Sequence, residues 1–443
     1  MAHKLSYFTI TILASASFNC FAAGFQISEQ SASSLGNAFA GTSAVIEDAS
    51  IVFFNPAGTT FLNSGQFSLS GTVINVNSDV EFTSSTFTNP LLGTRTISGN
   101  DREDAGGWFA VPAMYIALPF TACCNRFAVG LGITAPWGLI SDYTTSAKDR
   151  YLATYSRLSV INIGPTLAWQ PTSNFSLGAG FDAQYLDTVL RQQVVAINPV
   201  TGAQLQDSSL ENNANDWAYG WNAGAIFHIP QSGTTIGAAY RSRVTHSPEG
   251  DASLVVPVLQ TTFAGRVESD VSMPEIATLS LVQEICCLTL IGSVSWTHWD
   301  VIQDIGLQYG GAIAQPAPGF PGIPGATLAV NYENSWRYAV AVNYKADPSL
   351  KFRAGVMWDQ TPVQTVDTEI FRLPDNDRLW VAVGANFRVN NMFNIDAGYS
   401  HLFIDNFQMN QSAILGGTTT FNTRANVVAS SNIFAMQFNV NFC

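Results

Sequence analysis

Ser335-Trp336-Arg337-Tyr338-Ala339-Val340-Ala341-Val342-Asn343-Tyr344 puts Trp336, Tyr338, Val340, Val342 and Tyr344 on one face and small or polar residues and Arg337 on the other. Side chains of a strand point alternately to its two faces, so a period of two marks a strand lying between an apolar and a polar medium. The pattern returns at the end of the chain, where Phe434, Met436, Phe438, Val440 and Phe442 alternate with Ala435, Gln437, Asn439 and Asn441. Similar ribbons run through 288–296, 352–358, 379–387 and 393–399. Each is close to the roughly nine to eleven residues that a tilted strand needs to cross a bilayer. Aromatic residues gather near their ends, as amphipathic rings do at membrane interfaces.

From Gln66 onward the alternation predicts fourteen strands, near 66–76, 108–118, 127–137, 156–170, 175–189, 216–228, 234–245, 268–282, 288–299, 335–344, 351–360, 378–388, 392–403 and 432–442. Their connections alternate between short (170–174, 230–233, 345–349, 388–391) and long (77–107, 192–215, 300–334, 404–431). Bacterial barrels have short periplasmic turns and long external loops. The expected fold is therefore all-β, a 14-stranded antiparallel transmembrane β-barrel over residues 63–443.

Composition agrees with this. Charged residues are 12% of the 443, about half the share in a soluble protein. Lys4, an apolar run over 5–16 and small residues at Ala22 and Ala23 read as a secretory signal peptide over 1–22. Beyond it no apolar stretch reaches the length of a helical span. Cys20 suggests a lipoprotein, but Ser17-Phe18-Asn19 before it is a poor lipidation context. A net charge of −13 argues against nucleic acid as a partner. After processing, Cys123, Cys124, Cys286, Cys287 and Cys443 remain, in a spacing that neither zinc nor redox motifs use. The first four fall in periplasmic turns nearly across the barrel from each other, too far for a direct bridge, so free or locally oxidised thiols are expected. No cofactor or metal is expected. His228, His246, His298 and His401 lie near strand ends or loops, outside any nucleophile motif, which argues against an enzyme.

Residues 23–62 do not alternate and are too polar for lipid. Some forty small and polar residues ahead of the first strand fit inside a barrel of this width as an N-terminal hatch, or plug, in the lumen. Such a plug also argues against an open, water-filled porin. Here the chain resembles the FadL family of outer-membrane transporters for long-chain fatty acids and other hydrophobic compounds. The likeness begins at Ala23-Gly24-Phe25-Gln26, continues through Leu35-Gly36-Asn37-Ala38 and Glu47-Asp48-Ala49, and reaches Asn55-Pro56-Ala57. It extends to Tyr219-Gly220-Trp221-Asn222-Ala223-Gly224, Tyr240-Arg241-Ser242, Met273-Pro274-Glu275 and Leu373-Pro374-Asp375-Asn376-Asp377-Arg378-Leu379-Trp380.

The resemblance implies a monomer in the Gram-negative outer membrane, surrounded by outer-membrane lipid and lipopolysaccharide. It implies uptake of a long-chain fatty acid, or of an aromatic hydrocarbon or other small hydrophobic compound, past a hatch whose gating residues include Phe25, Asn55, Pro56 and Ala57. Release is sideways, at a kinked third strand that here carries Pro136, Trp137 and Gly138. Pro136 lacks an N–H and Gly138 a side chain, so regular pairing is weak there; alternatively, Pro136 ends the strand at the outer rim. Phe25, Phe39, Phe53 and Phe54 are candidates for holding an alkyl chain or for packing the hatch itself. For the carboxylate head an inward arginine is favoured, because its planar fork can hold both oxygens. Alternation turns Arg241, Arg243, Arg337 and Arg353 inward, as ligand clamps or as partners of Asp182 and Asp396. The family's basic pair maps near Arg191, which alternation turns outward, and near Glu333, which is acidic. The head-group candidates are Arg191, Arg241 and Arg337.

Overall fold

Trp336, Tyr338 and Tyr344 are exposed and Val340 is 64% exposed, whereas Ser335, Ala339 and Asn343 between them are buried. Period two in sequence is thus period two in exposure, with the apolar face outward, the reverse of a soluble sheet. The computed structural model describes residues 24–90, 92–198, 203–314, 322–415 and 419–442. The expected signal peptide, Ala23 and Cys443 lie outside the described residues.

Fourteen wall strands follow one another around the barrel: β1 (Gly65–Asn89), β2 (Gly107–Ala122), β3 (Asn125–Asp142), β4 (Tyr155–Thr172), β5 (Phe175–Val194), β6 (Ser208–Ile229), β7 (Thr234–Arg241), β8 (Ile276–Ile285), β9 (Leu288–Thr297), β10 (Ser335–Asp347), β11 (Leu350–Asp359), β12 (Arg378–Arg388), β13 (Phe393–Ile404) and β14 (Thr419–Phe442). Each pairs antiparallel with the next. β14 returns to β1 in a register running from Gly65↔Phe442 to Thr88↔Thr420, so the sheet closes on itself.

All fourteen expected strands are present, but several are longer than the alternation suggested. The stretches 77–107 and 404–431 are largely sheet: β1 and β14 run far beyond the bilayer, and Phe407–Leu415 pairs with β14. β7 ends at Arg241 and β8 begins at Ile276; residues 249–269 instead form a hairpin, Glu249–Val256 with Thr261–Ser269, that extends the wall outward beside β6. The apolar alternation lapses where neither face meets lipid, yet Thr, Val and Phe still favour extended chain there. On the side of the short turns, Cys123, Cys124, Cys286 and Cys287 are exposed and free. Cys123, Cys124 and Cys286 have positive φ, a conformation more usual for Gly or Asn.

Residues 24–62 lie within the cylinder, where they are bonded to inward-facing groups all around the wall. Ser31 caps the short helix Ala32–Leu35 and its Oγ donates to Gln437 Oε1 of β14 at 3.0 Å. Ser43 Oγ donates to Ser280 Oγ of β8 at 2.7 Å. Asn55 Nδ2 donates to Ser43 O at 2.7 Å and to Ala238 O of β7 at 3.2 Å, while its Oδ1 accepts from Ala57 N–H at 3.1 Å and starts the turn Pro56–Phe61. Thr60 Oγ1 bonds Ser176 Oγ of β5 at 2.9 Å. This filling explains why polar wall residues such as Gln437 and Asp182 are buried yet bonded.

Two wall glycines allow the backbones to meet: a Cβ on Gly237 of β7 would overlap the carbonyl of Ser43, and one on Gly355 of β11 that of Asn37. Gly237→Val is therefore expected to push the inner segment off β7 at a cost of about 1–3 kcal/mol. A lowered thermal transition of the intact barrel, read by its heat-modifiable gel mobility, checks this; an unchanged transition would show that the segment yields without cost.

Candidate functional site

Two cavities of the lumen meet where Phe25 is followed by Gln26. The outer one, about 1240 Å³, is lined mostly by apolar side chains that include Leu139, Leu158, Leu186, Leu190, Leu307 and Leu328, with Phe25 at its inner end. The inner one, about 850 Å³, begins at Gln26 and is bordered by Phe53, Pro136, Arg241 and Arg337. Phe25 is 2% exposed, its ring 5.8 Å from Trp137 and 5.0 Å from Trp299 in edge-to-face contacts. Ahead of it, Gly24 N–H donates to Asp375 Oδ2 at 2.9 Å. Arg378 pairs with the other oxygen of Asp375, and Thr361 Oγ1 donates to Oδ2 at 2.7 Å. Burial pushes the Asp375 carboxyl up to about 6, against the opposing pull of Arg378.

The wall is broken beside the inner cavity. β2 and β3 pair from the turn at Ala122↔Asn125 to Met114↔Ile133 and no further. Residues 107–113 of β2 pair on with β1 alone. β3 bulges at Ala135 and Pro136, then resumes pairing with β4 at Trp137↔Val160. Pro136 therefore does not end the strand, which continues to Asp142. The bulged backbone turns its bonds inward instead. Ile27 N–H donates to Pro136 O at 2.8 Å and Gly138 N–H to Phe25 O at 2.9 Å. Gln30 spans Ala135, accepting from its N–H at 3.1 Å and donating to its carbonyl at 2.7 Å. Proline deletes a ladder donor here, and the leading segment takes the acceptors that β2 leaves.

Of the arginines considered from the sequence, Arg241 and Arg337 line the inner cavity, but both have acidic partners. Arg241 binds Asp182 at 2.5 Å and lies over the Phe53 ring at 4.3 Å. Arg337 is 3.8 Å from Asp359 and bonded to Ser28. Arg353 joins Glu47 of the leading segment to Asp396 of β13, the latter at 2.7 Å. Although burial opposes it, Lys351 and Arg353 together hold the Glu47 carboxyl well below the usual carboxylate range. Arg191 points outward, as alternation requires, to Glu211 at 2.8 Å. Arg243 departs from its expected inward direction: it follows the end of β7, is exposed and pairs with Glu275 at 2.9 Å.

Pro136, Trp137, Gly138 and Phe25 are brought together; Asn55, Pro56 and Ala57 lie farther along the segment, against β5 to β7. Sequence reasoning missed Arg372, which lines the outer cavity. Its guanidinium reaches Ser156 Oγ at 3.0 Å and Gln192 Oε1 at 2.6 Å. Burial pulls it down to about 10, so it remains a cation at neutral pH.

Residues 13–442 match the family described as "Outer membrane protein transport protein (OMPP1/FadL/TodX)". The chain is 28% identical to outer membrane protein P1 of Haemophilus influenzae, over 98% of both chains. It is 26% identical to the long-chain fatty acid transport protein of Salmonella typhi, over 89% of this chain and 91% of that one. Among solved structures, a Pseudomonas aeruginosa FadL homologue superposes with a TM-score of 0.80 at 23% identity, covering 95% of this chain and all of that one. The Ralstonia pickettii toluene transporter TbuX does so with a TM-score of 0.63 at 18% identity, covering 92% and 98%. With its closed fourteen-stranded wall and mostly apolar outer cavity, this chain belongs to the FadL/TodX family of outer-membrane transport proteins for hydrophobic compounds, a family of channels and not of enzymes.

Proposed function

We propose that this transporter takes up long-chain fatty acids. Cargo enters the outer cavity, passes Phe25 when residues 23–62 shift as a hatch, and leaves sideways through the break between β2 and β3. The observation that carries this reading is the pair of cavities in series, divided at Phe25 and Gln26, with the inner one bordered by Pro136 at the broken pairing. An alkyl chain gains about 0.8 kcal/mol per buried methylene, so a leucine-lined cavity captures it without any aqueous channel. Transport is passive and runs down the cargo's gradient.

Support for fatty acids comes from relatives of that name that align over about nine-tenths of both chains. Aromatic hydrocarbons are the second reading, favoured by the fold shared with toluene transporters. Deleting the gene is expected to impair growth on oleate as sole carbon source and to abolish most uptake of labelled oleate. Unimpaired growth and uptake in a strain without a related gene would overturn the fatty-acid assignment. Rapid permeation of small sugars through the intact protein in liposomes would instead mark a porin.

A further inference from the structure

We propose that Arg372 binds the carboxylate of the cargo at the outer end of the outer cavity, so that the alkyl tail points inward to Phe25. This rests on the fatty-acid reading above and adds to it a residue that tells an acid from a neutral hydrocarbon.

Among the described residues five arginines are buried: Arg150, Arg241, Arg353, Arg372 and Arg378. Four have a carboxylate beside them, namely Asp207 at 3.1 Å, Asp182 at 2.5 Å, Asp396 at 2.7 Å and Asp375 respectively. Arg372 has none within ion-pair distance among the described residues. Its Nη1 donates to Ser156 Oγ at 3.0 Å and to the carbonyls of Tyr155 at 3.3 Å and Arg191 at 3.4 Å, and its Nη2 donates to Gln192 Oε1 at 2.6 Å. A buried charge is tolerated when it is paired, and these neutral acceptors give Arg372 no ion pair among the described residues. Asp149, whose field reaches it, is itself buried and not within ion-pair distance, and burial pushes its carboxyl well above the usual range.

The guanidinium borders a cavity lined mostly by apolar side chains, leucines foremost among them, and the other arginine on its wall, Arg157, is paired with Asp187. A fatty acid supplies both missing parts, an anion for the fork and an apolar chain for the walls. Toluene supplies only the second. Position along the wall sets the direction of the tail. Arg372 is bonded to Tyr155, which pairs with Asp142, whereas Phe25 is bonded to Gly138. The two sites are four residues apart along β3, or roughly 13 Å at the usual strand rise. A long tail spans that gap and presses on Phe25.

The test is equilibrium binding to the mature full-length protein held in amphipol, with palmitate, hexadecanol and ethylbenzene as probes. The wild type is expected to bind palmitate more tightly than hexadecanol. Arg372→Leu should weaken palmitate binding about tenfold to a hundredfold, the range expected for a hydrogen bond to a charged group. Hexadecanol binding should stay within about twofold, and Arg372→Lys should retain part of the preference. Equal wild-type affinities for palmitate and hexadecanol overturn the assignment without need of a variant, as does a parallel loss of both ligands in Arg372→Leu; either result leaves the channel intact. A wild type that binds ethylbenzene but neither sixteen-carbon probe overturns the cargo reading itself.

Discussion

Cells carrying Gly138→Trp are expected to take up labelled oleate roughly tenfold to a hundredfold more slowly than wild type, if the added ring raises the exit barrier by the 1–3 kcal/mol typical of overpacking. Trp137 packs inward on Phe25 and Leu139 borders the outer cavity, so alternation turns position 138 to the other side of β3. There β2 and β3 share no ladder, and a tryptophan would fill the space through which cargo is proposed to leave. The Gly138 N–H remains available to Phe25 O, and pairing with Ser159 of β4 involves backbone alone, so the barrel should assemble. Leu167→Trp, on the lipid-facing side of β4, controls for bulk added elsewhere. Normal uptake by a folded Gly138→Trp barrel would exclude the sideways route and leave the periplasmic end as the exit.

Legibility followed the lipid. In β10 and in the last nine residues of β14, one face meets hydrocarbon, so every second residue is apolar and the strand can be read directly. In the outer half of β1, Asn77-Ser78-Asp79-Val80-Glu81 faces water on one side and packed loops on the other, and a strand reads as a loop. The bulge at Pro136 was foreseeable from the missing donor. What could not be read was where the freed backbone donors and acceptors go, because Gln30 and Phe25 approach them from more than a hundred residues away in sequence. Alternation correctly turned Arg191 outward, and Asp182 and Asp396 proved to be the partners of Arg241 and Arg353. Arg372 escaped because it lies in the connection between β11 and β12, where no period assigns a face. Its acceptors Ser156 and Gln192 are 216 and 180 residues away. One signal was available: an arginine set between Phe371 and Leu373, just ahead of the Pro374-Asp375 stretch.

The same ion pairs indicate how firmly the leading segment is held. Arg353 is the cation that ties Glu47 of the leading segment to Asp396 of the wall, and Arg353→Leu leaves the buried Asp396 and the half-buried Glu47 without it. Removing one partner of a buried pair typically costs about 3–5 kcal/mol. Lys351, 2.9 Å from Glu47, and the amides of Asn386 and Asn439, which donate to Asp396, bring the expectation to the lower end of that range. The loss should fall on the seating of the segment, since the wall strands β11 and β13 keep their backbone ladders with β12 whatever side chain stands at 353. Residues 24–62 contain no lysine or arginine but several phenylalanines, so chymotrypsin is the suitable probe. The variant is expected to be cut within this segment while the barrel keeps its heat-modifiable mobility, and to admit small sugars into liposomes that the wild type keeps sealed. A fourteen-stranded barrel encloses a wide lumen, so displacing the segment that fills it is expected to leave a water-permeable pore. Resistance to chymotrypsin together with tight liposomes would mean that the backbone bonds of Asn55 and Gln30 hold the segment unaided, and gating would then have to begin at Phe25 alone.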